Sequence, residues 1–331
     1  MSLKLVLGLL IGLSILPVAY GSDLTSNFKK IYNKQLKLNP LEQNGLKPLD
    51  FYLVPGILSE TFIWEDHRSK LDFSILTKDY FSAQEKFLKT KYGFSAKRLK
   101  SSSLSVEEIR MNIRQVLLES MSRDKKSFFI THSLGGLALL EELVLNPEYQ
   151  EGVAGIIFIQ APFSGTPMAD VYGMYPYHSD VWLKPLLPFF NTSEETIRYL
   201  GTKSRLEFME KEKKSIQDLL KRIPVIAVGG VANGHNSLFK PAVDIMAHGC
   251  IKTVFSRCLS RVLYDGPYDE SDGMVPFKSS QLQDADFVKV DKLDHGETVV
   301  KVPFESYQKE AFTVTLLKLI LPQLSFKASG K

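Results

Sequence analysis

Short apolar runs alternate along the chain with stretches whose apolar residues recur at helical spacing. Phe51-Tyr52-Leu53-Val54 reads as a strand ending at Pro55-Gly56. Val106 to Met121 places Ile109, Ile113, Val116 and Leu117 on one helix face. Ser127-Phe128-Phe129-Ile130 is a short buried strand, followed by a helix over Leu134 to Leu145 that opens on small residues. Strand patterns return at Val153 to Ile159, Pro224 to Val228 and Phe287 to Val290, and an apolar-faced helix from Glu310 to Leu321 closes the series. Strands that are apolar throughout and alternate with helices predict an α/β fold: a mostly parallel sheet covered by helices on both faces. About Ala169 to Ile223 breaks the alternation with an aromatic-rich stretch and then one charged helix from Lys203 to Arg222.

Composition narrows this picture only at the edges. With 44% hydrophobic and 24% charged residues in 331, the chain is an ordinary globular one. The net charge of +4 is dispersed among both signs, with no basic stripe interleaved with aromatics, so nucleic acid is not an expected partner. A weak attraction to anionic membrane surfaces stays open. At the start, Lys4 precedes an apolar run from Leu5 to Val18, and Ala19-Tyr20-Gly21 offers small residues before polar Ser22-Asp23. This is the pattern of a secretory signal peptide over residues 1–21, the run being shorter than the ~20 apolar residues of a bilayer span. The expectation is an exported protein, periplasmic or secreted, with one domain over 22–331. Cys250 and Cys258 are the only cysteines. Their spacing fits a small disulfide loop in an oxidising compartment and equally fits two free thiols.

The chemistry concentrates at Thr131-His132-Ser133-Leu134-Gly135, a G-x-S-x-G pattern with Thr in the first position. A strand that turns abruptly into a helix holds its central serine in a strained conformation with the hydroxyl above the sheet edge. Small residues are needed two positions either side, which Gly135 and Gly136 supply and Thr131 supplies in part. The same turn sets Ser133 at a helix start, where backbone N–H groups and the helix dipole favour negative charge. A serine hydroxyl is a poor nucleophile until a base, itself oriented by an acid, takes its proton. Of the six histidines, His295 alone follows the last predicted strand, whereas His132 adjoins the serine and points away from it at a sharp turn. For the acid, the tight turn at Asp272-Gly273 is favoured. Asp265 and Asp269 share its loop and spacing alone does not separate them, while Asp291 and Asp294 stand too near His295.

These segments resemble a known family. Val54-Pro55-Gly56-Ile57, His132 to Gly136, Ala161 to Asp170, Ser271 to Pro276 and Asp294-His295-Gly296 look like those of the α/β-hydrolase superfamily, in particular its bacterial lipases and esterases, in the same order and over roughly residues 50 to 320. Two positions depart from that pattern: Pro55 stands where His is frequent, and Thr131 where Gly is. The resemblance implies Ser133, Asp272 and His295 as a catalytic triad and the N–H groups of Ile57 and Leu134 as an oxyanion hole. It implies an enzyme cleaving carboxylic esters; with the N-terminal signal pattern and the apolar stretch after Ala169, the expectation is an exported hydrolase of an ester or lipid-like small molecule, with transient contact with a lipid interface and no cofactor. Acyl transfer or thioester cleavage uses the same groups, and a catalytically silent binding protein is a further alternative. Some of these lipases hold calcium beside the acid and histidine loops; Glu297 stands there without a second ligand, so no metal is expected. The stretch 169–223 then reads as a cap or lid, with Met174, Tyr175, Tyr177, Trp182, Leu186, Phe189 and Phe190 as its substrate-facing residues.

Overall fold

The computed structural model describes residues 21–33, 37–57, 63–66, 69–72, 79–100, 105–174, 193–232, 250–252, 258–261, 270–301 and 305–324. After helices α1 (Thr25–Tyr32) and α2 (Pro40–Leu46) comes strand β1 (Asp50–Val54), then β2 (Ile63–Asp66) and β3 (Ser69–Asp72). Helix α3 (Ser82–Tyr92), β4 (Ser95–Arg98), α4 (Val106–Ser122), β5 (Ser127–His132), α5 (Leu134–Leu145) and β6 (Val153–Ile159) follow. Four helices, α6 (Pro167–Met174), α7 (Glu194–Leu200), α8 (Thr202–Lys211) and α9 (Lys213–Arg222), precede β7 (Val225–Val231), the pair β8 (Cys250–Lys252) and β9 (Cys258–Arg261), β10 (Asp286–Asp291) and α10 (Lys309–Ile320).

Six strands form one sheet in the order β10-β7-β6-β5-β1-β4, every neighbour pair parallel. The four central strands, β1, β5, β6 and β7, alternate their side chains between two apolar layers. Tyr52, Val54, Phe129 and Phe158 face α4, α5 and α9, while Phe51, Leu53, Phe128 and Ile130 face α3 and α10. Burial on both faces explains why the middle of these strands is a continuous apolar run. A fully buried Phe or Leu of this kind contributes about 1.5–3 kcal/mol.

The expected α/β architecture is therefore present, and two elements within it depart from the sequence reading. The charged segment 203–222 is two helices: the chain breaks at Glu212 (φ −98°, ψ 11°). The break lets α8 bury Arg205 against Glu141 (2.6 Å) while α9 buries Ile216 and Leu219. Strand β4, Ser-Ala-Lys-Arg, went unread because it is an edge strand with only Ala96 buried. Ile197, Leu200, Ile216 and Leu219 of the inserted region join the same core as α4 and α5. Glu142, fully buried, clamps α5 to α4 by accepting from Arg110 (3.1 Å) and Arg114 (2.7 Å).

At the far edge, residues 22–24 lie along β10. Phe287 N–H donates to the Ser22 carbonyl at 3.0 Å, and Leu24 N–H to the Phe287 carbonyl at 2.8 Å. The strand order reverses direction between β1 and β5, so the C-terminal ends of those two strands flank a topological switch point, where α/β sheets place their ligands. No helix among the described residues is long and apolar enough to cross a membrane.

Candidate active site

Ser133 occupies that switch point, between the last residue of β5 and the first of α5. Its backbone is in the left-handed half of φ space (φ 51°, ψ −128°), a conformation of about 1–3 kcal/mol in strain that only an over-determined surrounding sustains. Part of that surrounding is the Ser133 N–H, which donates to the Ile159 carbonyl at 3.0 Å. Two glycines allow the crowding. A Cβ on Gly135 would come 2.4 Å from the Pro55 carbonyl oxygen, and one on Gly56 2.8 Å from the Ser133 Cβ. All three nearest obstacles at Gly135 are backbone atoms of Val54 and Pro55, so Gly135→Ala is expected to lower stability by about 2 kcal/mol or more, read as a fall in Tm. An unchanged Tm would show that the end of β1 can give way. Thr131 is accommodated with no exposure, its hydroxyl 3.5 Å from the Ile157 carbonyl.

Three groups distant in sequence converge here. His295 Nε2 lies 3.1 Å from Ser133 Oγ, and His295 Nδ1 lies 2.8 Å from Asp272 Oδ2. All three residues are buried or nearly so. Asp272 sits in a turn that Gly273 closes at φ 97°, and the His295 N–H donates to the Asp272 carbonyl at 3.0 Å. The carboxylate is held at both ends. Oδ1 accepts from the N–H groups of Met274 (2.9 Å) and Val275 (2.7 Å), and Oδ2 accepts from Gln160 Nε2 (2.8 Å) as well as from His295. Four donors fix its plane, and with a carboxylate as partner Nδ1 carries the proton, leaving the Nε2 lone pair toward the serine hydroxyl.

No family model matches the chain, and no curated protein matches its sequence. Its three-dimensional arrangement does have relatives. A metagenomic carboxyl esterase, MGS0156, superposes with a TM-score of 0.60 at 16% identity, over 84% of this chain and 77% of that one. The mature lipase BlEst2 of Bacillus licheniformis superposes at 0.53 and 16% identity, over 88% of this chain and 95% of its own. This is an α/β-hydrolase fold.

In an α/β-hydrolase fold the residue after the elbow serine begins the following helix, and here that residue is Leu134, whose N–H is among those a helix start leaves without an intrahelical partner. Ile57 follows β1 and packs partly buried against the core on the same side. Two residues of this site escaped the sequence reading. Gln160, at φ 53° just past β6 and fully buried, donates to Asp272 and to the Asp294 carbonyl (3.1 Å). A buried amide at the C-terminal end of a parallel strand is the signal that points to it. Tyr80 is the other; it lies before α3 and touches both Gly56 and His132.

The His132 ring bonds to the Tyr80 hydroxyl and to the His295 carbonyl oxygen, and burial first, then the neighbouring His295, holds its pKa well below the usual histidine value. Glu297 has its carboxylate turned onto backbone N–H groups of Ser306, Tyr307 (2.8 Å) and Asp294 (3.4 Å), and burial raises its pKa. Asp291 faces outward to Lys29 (2.8 Å). Asp265, Asp269, His67, His178, His235 and His248 lie outside the described residues. So do Tyr175, Tyr177, Trp182, Leu186, Phe189 and Phe190 of the expected lid; Met174 ends α6, its side chain not described. Cys250 and Cys258 fall in the antiparallel pair β8–β9, again without described side chains.

Proposed function

We propose that this protein is an exported serine hydrolase that cleaves carboxylic esters with Ser133 as nucleophile. The observation that carries the reading is the unbroken run of contacts from Ser133 Oγ through His295 to Asp272 at the sheet's switch point. Ser133 Oγ attacks the acyl carbonyl as His295 Nε2 takes its proton, and Asp272 holds the imidazole tautomer and steadies the imidazolium. The N–H groups of Ile57 and Leu134 receive the oxyanion, whose stabilisation is commonly the largest catalytic contribution. His295 next protonates the departing alcohol, and water then releases the acyl group along the same path. That both structural relatives carry ester-cleaving names supports this chemistry.

The substrate we assign is an ester of an acyl chain or similar lipid-like group, on the strength of the apolar and aromatic residues between Met174 and Phe190. Export follows from the N-terminal signal pattern over residues 1–21. Protein beginning at Ser22 is expected to cleave p-nitrophenyl esters, with a preference among acyl-chain lengths that shifts when residues 172–190 are altered. The test is a chain-length series run with and without a lipid interface. No cleavage of any ester, or product that forms only when an alcohol acceptor is present, would overturn the hydrolase reading. An unchanged chain-length preference would reduce 172–190 to packing.

A further inference from the structure

Behind the candidate site runs a second set of hydrogen bonds that ester hydrolysis does not itself require. Gly56 N–H reaches the Tyr80 hydroxyl at 3.0 Å, that hydroxyl lies 2.5 Å from His132 Nδ1, and His132 Nε2 lies 2.6 Å from the His295 carbonyl oxygen. Both ends of this chain are chemically fixed: a backbone N–H only donates and a carbonyl oxygen only accepts. A hydroxyl has one proton to give, and a neutral imidazole has one N–H and one lone pair. A single assignment satisfies every link: Gly56 donates to Tyr80, Tyr80 donates to His132 Nδ1, and His132 Nε2–H donates to His295. The other tautomer would set the Nε2 lone pair against carbonyl lone pairs. An imidazolium would present a second N–H to Tyr80 and leave the hydroxyl proton without an acceptor in the chain.

We propose that Tyr80 and His132 are positioning residues, a one-way hydrogen-bonded strut that sets the distance between the loop after β1 and the loop carrying His295. The functional half of this proposal rests on the hydrolase reading. Gly56 immediately precedes Ile57, the proposed oxyanion donor, and its backbone presses on Ser133 so closely that a Cβ would meet the Ser133 Cβ at 2.8 Å. The far end grips the main chain of His295 itself. The strut therefore joins the two parts that must move together for attack, the proton acceptor and the oxyanion receptor. It also branches toward the acid. Gln160 Oε1 lies 3.3 Å from His132 Nε2 while Gln160 Nε2 donates to Asp272. Burial serves the arrangement, since Tyr80 is deeply buried with its phenol pushed to a higher pKa and His132 is kept neutral. Unlike His295, whose proton sits on Nδ1, His132 carries its proton on Nε2; the rings lie 4.7 Å apart, tilted by 52°, in opposite tautomers.

The test separates the strut from the chemistry. In histidine-labelled protein at pH 7, 15N NMR is expected to show His132, assigned by its loss in His132→Gln, as the neutral Nε2–H tautomer, with the Nδ1 resonance moving in Tyr80→Phe. Finding His132 as the Nδ1–H tautomer or as the cation would overturn the proposal. In kinetics with p-nitrophenyl esters, Tyr80→Phe is expected to lower kcat by about tenfold or more while KM changes by less than about threefold, because ground-state binding does not use the strut. Wild-type kcat in a folded Tyr80→Phe variant would reduce Tyr80 to packing. Should that variant fail to fold, the wild-type tautomer decides. A wild-type protein that cleaves no ester would defeat the hydrolase reading, and the NMR result would still stand or fall by itself.

Discussion

Ser133→Ala is expected to lower turnover of p-nitrophenyl esters by roughly 10⁴-fold or more, to the level of whatever the remaining groups achieve on bound substrate. The size follows from the role: Ser133 Oγ is the hydroxyl placed 3.1 Å from His295 Nε2, and without it the acyl-enzyme route loses its nucleophile. The fold should survive, because Ser133 is held by its backbone, through its N–H to the Ile159 carbonyl, rather than by its hydroxyl. Tm and far-UV circular dichroism are the control, and a folded variant retaining even a tenth of wild-type turnover would remove Ser133 from the mechanism.

Asp272→Asn is expected to cost about 10⁴-fold in kcat, by inverting a tautomer. The direction comes from the turn. Oδ1 accepts two backbone N–H bonds, from Met274 and Val275, and only an oxygen can take that place. The new amide must therefore point its NH₂ at His295 Nδ1, where Oδ2 now accepts at 2.8 Å. Two donors then face each other, so the imidazole shifts its proton to Nε2 and has no lone pair for the serine. A loss below tenfold would mean that another carboxylate takes up the work, Asp294 being the nearest in sequence to His295.

What could be read from the sequence, and what could not, divides along contact range. β1, β5, β6 and β7 were visible because a strand buried on both faces must be apolar at every position, and the elbow because a strained turn demands small neighbours in fixed places. Asp272 and His295 were singled out by chain order and turn chemistry, and only the structure brings their side chains together. Gln160 was passed over: its meaning lies in a bond to a residue 112 positions away, and its one local mark is an amide at the end of an apolar strand. Tyr80 was hidden for the same reason, with His132 52 positions off and no pattern leading to it. The break at Glu212 has neither proline nor glycine to announce it and follows from tertiary packing on either side. An edge strand such as β4, polar on its open side, resembles a loop.

The short segment 22–24 against β10 bears on the order in which the molecule can be completed. Ser22 N–H bonds to Asp286 across a sequence separation of 264, so residues from early in the chain are seated on a strand near its end. Until β10 exists, those residues have nothing to pair with; until they return, the outermost strand of the sheet shows open N–H and C=O groups to any passing chain. Closing that circuit is a late event with a long loop behind it. The hazard it guards against is association between unfinished molecules rather than loss of chemistry at Ser133.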